Sequence, residues 1–283
     1  MLTNTVIDKE VRLKQILLDL KSVAVAFSGG VDSSYLSAIC AKTLPDKTVL
    51  VTGCSASFPQ RELSAAKALA KELGLKHILV DSEELDLPDF SNNPPNRCYL
   101  CKRELFGKII AVAKSEGLDQ VIEASNTDDE GDYRPGLTAI SELGVKSPLR
   151  LADLNKEEIR LLSKKMGLST WDKPSFACLA SRFPYGERIT AERLSHIDQA
   201  ENCLLELGLK QVRVRFHDKG ELARIETDEE GLATLMSLQV RTKVAARFRE
   251  LGFLYTAVDI LGYRTGSMNL TLPMAPKKLV NNT

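Results

Sequence analysis

The chain has no surplus of charge of either sign. Its 38 Lys and Arg balance 38 Asp and Glu over 283 residues. Proteins that grip tRNA more often carry a basic excess, so a nucleic-acid partner is disfavoured. No apolar run approaches the length of a membrane span. Met1 to Leu20 mixes charges with leucines, reads as an amphipathic helix and lacks a signal-peptide pattern. The expectation is a cytoplasmic protein with no membrane contact, in which six cysteines are not structural disulfides. Internal repeats and low-complexity segments are missing too. So is the G-x-x-x-x-G-K-[ST] element of kinases and GTPases. What remains is 43% hydrophobic and 27% charged, as in soluble globular proteins, and long enough for one large domain or two ordinary ones.

The most informative segment is Ser28-Gly29-Gly30-Val31-Asp32-Ser33-Ser34. An apolar run, Val23 to Phe27, precedes it, and a helical pattern from Tyr35 follows. Strand, glycine turn and helix start in that order make an anion cradle. The glycines allow positive φ and close backbone approach, and the helix start adds unpaired donors and partial positive charge. Ser28, Ser33 and Ser34 can add hydroxyl donors, while Asp32 suits a metal ion, a catalytic water or a helix cap. The segment resembles the PP-loop, S-G-G-x-D-S-[ST], of the ATP pyrophosphatase superfamily. That resemblance implies cleavage of ATP to AMP and pyrophosphate with adenylation of a carbonyl or carboxylate oxygen.

The pattern continues as strand Thr48 to Gly53, helix Gln60 to Leu73, strand Lys76 to Val80, a Pro/Asn-rich loop Ser91 to Arg97, helix Cys98 to Glu116 and strand Gln120 to Ala124. Alternating strands and helices predict an α/β fold with a doubly wound parallel sheet. Ligands of such sheets lie beyond the carboxyl ends of the strands. The acidic loop Ser125 to Gly136, with Asp128, Asp129, Glu130 and Asp132, falls at that end. It is read either as a solvated loop or as a contact to Mg²⁺ or to a cationic substrate ring. Asn155 is a plausible cap for a helix to Met166. From Pro184 the order changes to helix Thr190 to Leu207, strands Val212 to Phe216 and Leu222 to Glu226 joined through Lys219-Gly220, helix Leu232 to Leu251, and strand Leu254 to Ile260. The domains are placed at 1–183 and 184–283, the second a smaller α+β unit of αββαβ order.

Cys98 and Cys101 form a C-x-x-C at a helix mouth, a position that favours thiolate. Cys178 lies in Lys173-Pro174-Ser175-Phe176-Ala177-Cys178, near the predicted junction. Three thiolates fall short of a structural zinc site, but they can hold a 4Fe-4S cluster with one iron open. A redox pair, a zinc site completed by Cys54 or His217, and unrelated structural cysteines are the alternatives. Cys40 and Cys203 read as small buried hydrophobes and Cys54 as a packing residue. In Val212-Arg213-Val214-Arg215-Phe216-His217 the strand period sets Arg213 and Arg215 on one face. Paired guanidiniums suit a phosphate, and Arg224 in the next strand could join them. A solvated, salt-bridged face is the plainer explanation.

Six segments together give a closer likeness: Ser28 to Ser34, Asp132 to Leu137, Ser181 to Gly186, Val212 to His217, Ala223 to Glu226 and Gly262 to Gly266. They resemble the LarE family, sulfur transferases that build a nickel-pincer nucleotide cofactor. The resemblance implies a pyridinium biscarboxylate mononucleotide substrate, ATP and Mg²⁺, a thiocarboxylate product, and a hexamer. It implies that Ser28, Gly29, Gly30, Asp32, Ser33 and Ser34 hold ATP phosphates and Mg²⁺. Arg213 and Arg215 would hold the substrate phosphate, with Ser181, Arg182 and Glu201 lining the same site. In one form of the family a single cysteine is sacrificed, and in another three cysteines carry a 4Fe-4S cluster that delivers sulfide. Cys98, Cys101 and Cys178 match the second form, and Cys178 lies close to the sacrificial position of the first. A tRNA thiolase, an ammonia-using synthetase of the same superfamily and a non-catalytic nucleotide sensor are the competing readings.

Overall fold

A strand whose residues are all apolar must be covered on both faces. In the computed structural model, which describes residues 4–129, 135–174 and 177–272, β1 (Val23–Ala26) meets that requirement: Val23, Ala24 and Val25 are fully buried. It pairs in parallel with β2 (Thr48–Cys54) on one side and β4 (Gln120–Ile122) on the other, while β3 (Lys76–Asp81) extends the sheet beyond β2. The order β3-β2-β1-β4 reverses direction between β1 and β4. Successive residues of β1 serve opposite faces. Val23 and Val25 join a core with Leu13 and Leu17 of α1 (Asn4–Leu20), Tyr35, Leu36 and Ile39 of α2 (Val31–Thr43), and Ile159 and Leu162 of a later helix. Ala24 joins Val49, Val51, Phe106, Ile109 and Val121 in a second core. Helices therefore cover both faces, and the α/β fold with a doubly wound parallel sheet is as expected. No helix of the described residues is long and apolar enough to cross a membrane.

The remaining helices of this part are α3 (Gln60–Glu72), α5 (Arg97–Ser115), α6 (Pro135–Glu142), α7 (Pro148–Leu151) and α8 (Lys156–Lys165), while a short α4 (Pro88–Ser91), between β3 and α5 in sequence, belongs to the second unit. Asn155 caps α8 by accepting from the Glu158 amide, and Glu158 returns the bond to the Asn155 amide, a reciprocal capping box.

The chain packs as two units, one of residues 1–84 and 96–176, the other of 85–95 and 177–283. The sequence reading set one boundary at 183/184; packing moves it to 176/177 and adds 85–95 to the second unit. Hydrogen bonds explain the addition. Within that unit the Asn93 carbonyl accepts from the Gly186 amide at 2.9 Å, the Ser91 carbonyl accepts from Ile189 at 2.8 Å, and Asn93 Nδ2 donates to the Pro184 carbonyl at 2.6 Å.

In the second unit α9 (Ala191–Glu206), capped by Thr190, packs on β5 (Val212–His217). β5 pairs antiparallel with β6 (Leu222–Thr227) through a turn in which Asp218, Lys219 and Gly220 all have positive φ, and β6 pairs in parallel with β7 (Tyr255–Val258). The helix expected over Leu232 to Leu251 is in fact two, α10 (Glu229–Leu235) and α11 (Leu238–Glu250). Ser237 separates them because its side chain accepts from the Val240 amide and starts a new helix. The expected strand Leu254 to Ile260 shortens to β7: the Asp259 amide makes the closing bond to β6, at the Ile225 carbonyl, and the Asp259 carbonyl then accepts from the Gly262 amide in a turn.

Candidate active site

The glycine loop leaves β1 at its carboxyl end, beside the reversal between β1 and β4, where open α/β sheets bind ligands. Gly29 has φ +68°, and a Cβ there would sit 3.1 Å from the backbone and side chain of Ala66 on α3. Glycine is therefore required twice over, by conformation and by space. Gly30 is extended and precedes α2. The serines knit the loop together: Ser28 Oγ lies 3.1 Å from Ser33 Oγ, and Ser33 Oγ donates to the Gly30 carbonyl at 3.2 Å. The base of the loop is held as well. Thr52 of β2 donates to the Phe27 carbonyl at 2.6 Å, with His77 Nε2 2.8 Å from the same hydroxyl. Burial, helped by the charge of Lys67, lowers the His77 pKa. Ser34 is fully buried in α2, its hydroxyl without a hydrogen-bond partner among the described residues.

Asp32, in the first turn of α2, is engaged by a cation that nothing in the local sequence announces. Lys156 Nζ lies 2.5 Å from its Oδ2, and Asn126 Nδ2 is 3.4 Å from its Oδ1. Lys156 opens α8, and its amide donates to Asp128 Oδ2 at 2.9 Å. Part of the acidic loop is thereby spent on a helix start; residues 130–134, including Glu130 and Asp132, lie outside the described residues. A second lysine, Lys173, donates to the Gly29 carbonyl at 3.0 Å and pairs with the buried Glu62 at 2.7 Å. Two ammonium groups thus border the glycine loop. They complement an anion, and Asp32 offers a carboxylate suited to Mg²⁺.

Cys98 and Cys101 stand one turn apart at the start of α5. Cys98 is exposed. Cys101 donates at 2.8 Å to Glu84 Oε2, and Glu84 is itself buried and receives the hydroxyls of Ser55, at 2.9 Å, and Ser57. These soft donors at i, i+3 fit iron. Cys178 is exposed and belongs to the second unit. Among the described residues no three His, Cys, Asp or Glu side chains are grouped to hold a metal ion. Cys40 is buried, as expected, and its thiol is pushed up by burial. Cys203 is not: it is partly exposed, beside Gln199, Lys243 and Arg247 in a groove. Cys54 is partly buried at the end of β2, its thiol raised by burial and then by Asp81.

The second unit gathers the other predicted residues. Arg182 and Glu201 form a fully buried pair, with Nε to Oε1 at 2.8 Å and Nη2 to Oε2 at 3.0 Å. Glu201 Oε1 also accepts from the Val214 amide at 3.1 Å. Burial alone would raise the Glu201 carboxyl, but the charge and hydrogen bonds of Arg182, with Arg213 and Val214, hold it below the usual range. Arg182 Nη1 donates to the carbonyls of Ala177 at 2.8 Å and Cys178 at 3.2 Å, and to Ser181 Oγ at 2.9 Å. This pair is a brace for the backbone that carries Cys178.

Arg213 and Arg215 are buried rather than displayed on an open face. Arg213 donates to the Val212 carbonyl at 2.7 Å, and its guanidinium lies 4.9 Å from the Tyr263 ring. Burial, reinforced by the charge of Arg182, lowers its pKa to about 10. Arg215 binds Glu226 Oε2 at 2.6 Å, Ser267 Oγ at 3.1 Å and the Ser181 carbonyl at 3.1 Å. Arg224 does join the cluster, 3.0 Å from Glu226 and in contact with Asp259. Sequence reasoning left Glu226, Tyr263 and Ser267 without roles. Glu226 had a signal: strand register sets it opposite Arg213. Guanidiniums outnumber carboxylates here, a cationic excess that suits a phosphate.

Residues 13–93 match the asparagine synthase family model. Over 272 residues, 96% of this chain and 97% of the relative, the chain is 36% identical to the pyridinium-3,5-bisthiocarboxylic acid mononucleotide synthase of Lactiplantibacillus plantarum. It is 40% identical over 260 residues, 92% of this chain and 96% of the relative, to an uncharacterized protein of Synechocystis sp.. A tRNA-specific 2-thiouridylase MnmA of Treponema denticola is 27% identical over 193 residues, but that match covers only 54% of this chain and 51% of the relative.

Proposed function

The chain belongs to the LarE family, that of the pyridinium-3,5-bisthiocarboxylic acid mononucleotide synthase, and from that membership we propose that it is an ATP-dependent sulfur transferase. Its substrate is a pyridinium-3,5-biscarboxylic acid mononucleotide, one carboxylate of which becomes a thiocarboxylate. The observation that carries the reading is the glycine loop at the carboxyl end of β1, bordered by Lys156 and Lys173.

A carboxylate resists attack by a sulfur anion, so its oxygen has to become a leaving group. The carboxylate oxygen attacks the α-phosphorus of ATP, pyrophosphate departs and an acyl adenylate forms. The amides at the start of α2, with Ser28 and Ser33, receive the charge that grows on pyrophosphate. Lys156 turns from Asp32 to a phosphate, and Asp32 is then free to hold Mg²⁺. Bound Mg²⁺ would neutralise further charge on the leaving group. Sulfur attacks the acyl carbon and displaces AMP, and the cationic ring favours this by withdrawing electrons. Cys98, Cys101 and Cys178 would hold a 4Fe-4S cluster, which when bound supplies a sulfide nucleophile. Arg213 and Arg215 bind the substrate phosphate, while Arg182 and Glu201 hold the segment of Cys178 and Ser181 in place.

We further assign the protein to a homo-oligomer, the hexamer of the resemblance. Supporting this, β7 is an edge strand among the described residues, and its surroundings expose Leu254, Tyr255, Ile260 and Leu261. Light scattering after gel filtration measures it.

The functional test is direct. Anaerobically purified protein receives ATP, Mg²⁺ and the biscarboxylate mononucleotide. AMP and pyrophosphate should appear only with the mononucleotide, and its mass should rise by the exchange of one oxygen for sulfur. AMP release indifferent to the mononucleotide rejects the assignment. Mass analysis of the protein after turnover separates a cluster-borne sulfide from loss of sulfur at Cys178.

A further inference from the structure

The arginine cluster of the second unit is covered. Arg213 and Arg215 are only 2% and 5% exposed, yet a phosphate can bind only where it reaches guanidinium N–H groups. Much of the cover is the segment 262–272. It begins at Gly262, where φ is +64° and a Cβ would lie 2.7 Å from the Thr227 carbonyl oxygen, and turns again at Gly266, φ +75°. Its side chains meet the cluster one after another. The Tyr263 ring stands against Arg213. Arg264 reaches Asp259 at 3.4 Å. Ser267 Oγ accepts from Arg215 Nη2 at 3.1 Å and donates to Glu226 Oε1 at 2.9 Å. Met268 sulfur lies 3.7 Å from Arg224 Nη2, and Asn269 accepts from the Tyr185 hydroxyl at 3.0 Å.

Arg215 is the telling member. Its Nη1 and Nη2 are used, but its Nε is buried without a hydrogen-bond partner among the described residues. Nε and Nη2 form the edge with which an arginine grips two oxygens of one phosphate. Leaving a buried donor unpaired is costly. Here one donor of that edge meets the Ser267 hydroxyl and Glu226, and the other meets no acceptor among the described residues. A hydroxyl therefore stands where a phosphate oxygen would be received. A serine suits the position because it can accept from Arg215 and donate to Glu226 at once.

We propose that segment 262–272 is a strap that lifts to admit the mononucleotide phosphate, and that Ser267 is its latch, holding Arg215 until the phosphate takes its place. The inference rests on the assignment of Arg213 and Arg215 to the substrate phosphate. The test measures association of pyridinium-3,5-biscarboxylic acid mononucleotide with the immobilised full chain by surface plasmon resonance. Ser267→Ala removes one hydrogen bond to a guanidinium and one to a carboxylate, so association should quicken about tenfold. Ser267→Thr keeps the hydroxyl and should associate at the parent rate. Hydrogen exchange over 262–272 should quicken in Ser267→Ala alone. Arg215→Lys, which keeps the charge and loses the fork, serves as the control and should weaken binding. If it does so while Ser267→Ala associates no faster than the parent, the latch is overturned and the phosphate assignment stands. If Arg215→Lys binds as the parent does, both are overturned.

Discussion

Glu201→Ala isolates the brace behind Cys178. Glu201 and Arg182 are both fully buried, and the substitution leaves the guanidinium inside the protein with its charge uncompensated and Arg213 nearby. Breaking a buried pair from one side costs about 3–5 kcal/mol. With a urea dependence of about 2 kcal/mol/M, the midpoint of the second unit should fall by about 2 M. The single tryptophan, Trp171, belongs to the first unit. Its fluorescence should therefore hold its midpoint while part of the far-ultraviolet circular dichroism is lost early. The pH dependence gives a second arm. Glu201 is held below the usual carboxylate range, so its ionised form favours the folded state. That stability is fully present above the unfolded pKa and is lost as pH falls through the depressed folded value. Glu201→Ala should remove this part of the acid sensitivity. A midpoint shift below about 0.5 M, or an unchanged acid profile, would refute the reasoning.

Other expectations come from the first unit. Gly29→Ala meets both a left-handed φ and the Ala66 backbone at 3.1 Å, and should cost about 1–3 kcal/mol in thermal unfolding together with most ATP turnover. Lys156→Ala should raise the KM for ATP at least tenfold, as expected for a lost charged contact of about 1.5 kcal/mol or more, with Lys156→Arg restoring part of it. His77 is kept neutral by burial and Lys67, whereas the unfolded chain binds a proton near pH 6.5. Stability of the first unit should therefore decline as pH drops below that value and level off below the lowered folded pKa, and His77→Gln should flatten the decline. Anaerobic Cys98→Ala should lose iron and sulfide relative to the parent; equal iron content in both would remove Cys98 from the ligand set.

The parts of the fold written in local pattern were legible. Apolar runs gave β1 and β2, Asn155 and Thr190 announced their helices, and the two glycines after Phe27 marked the loop. The break at Ser237 was hidden inside a run of good helical spacing, because a serine's capping bond competes with helix continuation only in three dimensions. Lys156 and Asp32 are 124 positions apart, so no window of sequence shows their contact. The burial of Arg213 and Arg215 was missed for a related reason. Alternation assigns a strand's two faces, but it does not say that α9 and the 262–272 segment cover both. Glu201 sits in a helix whose spacing names no partner for it, and the structure supplies one, Arg182.

The grouping of 85–95 with 177–283 means that the polypeptide passes between its two units three times. Cys98 follows one passage and Cys178 follows another. No single cut yields either unit whole: ending the chain at 176 would strand Asn93 and Ser91 without Gly186 and Ile189. Gene fusion or exchange of one unit for a homologue's would have to carry two separate stretches together, which favours inheritance of the whole chain as one piece.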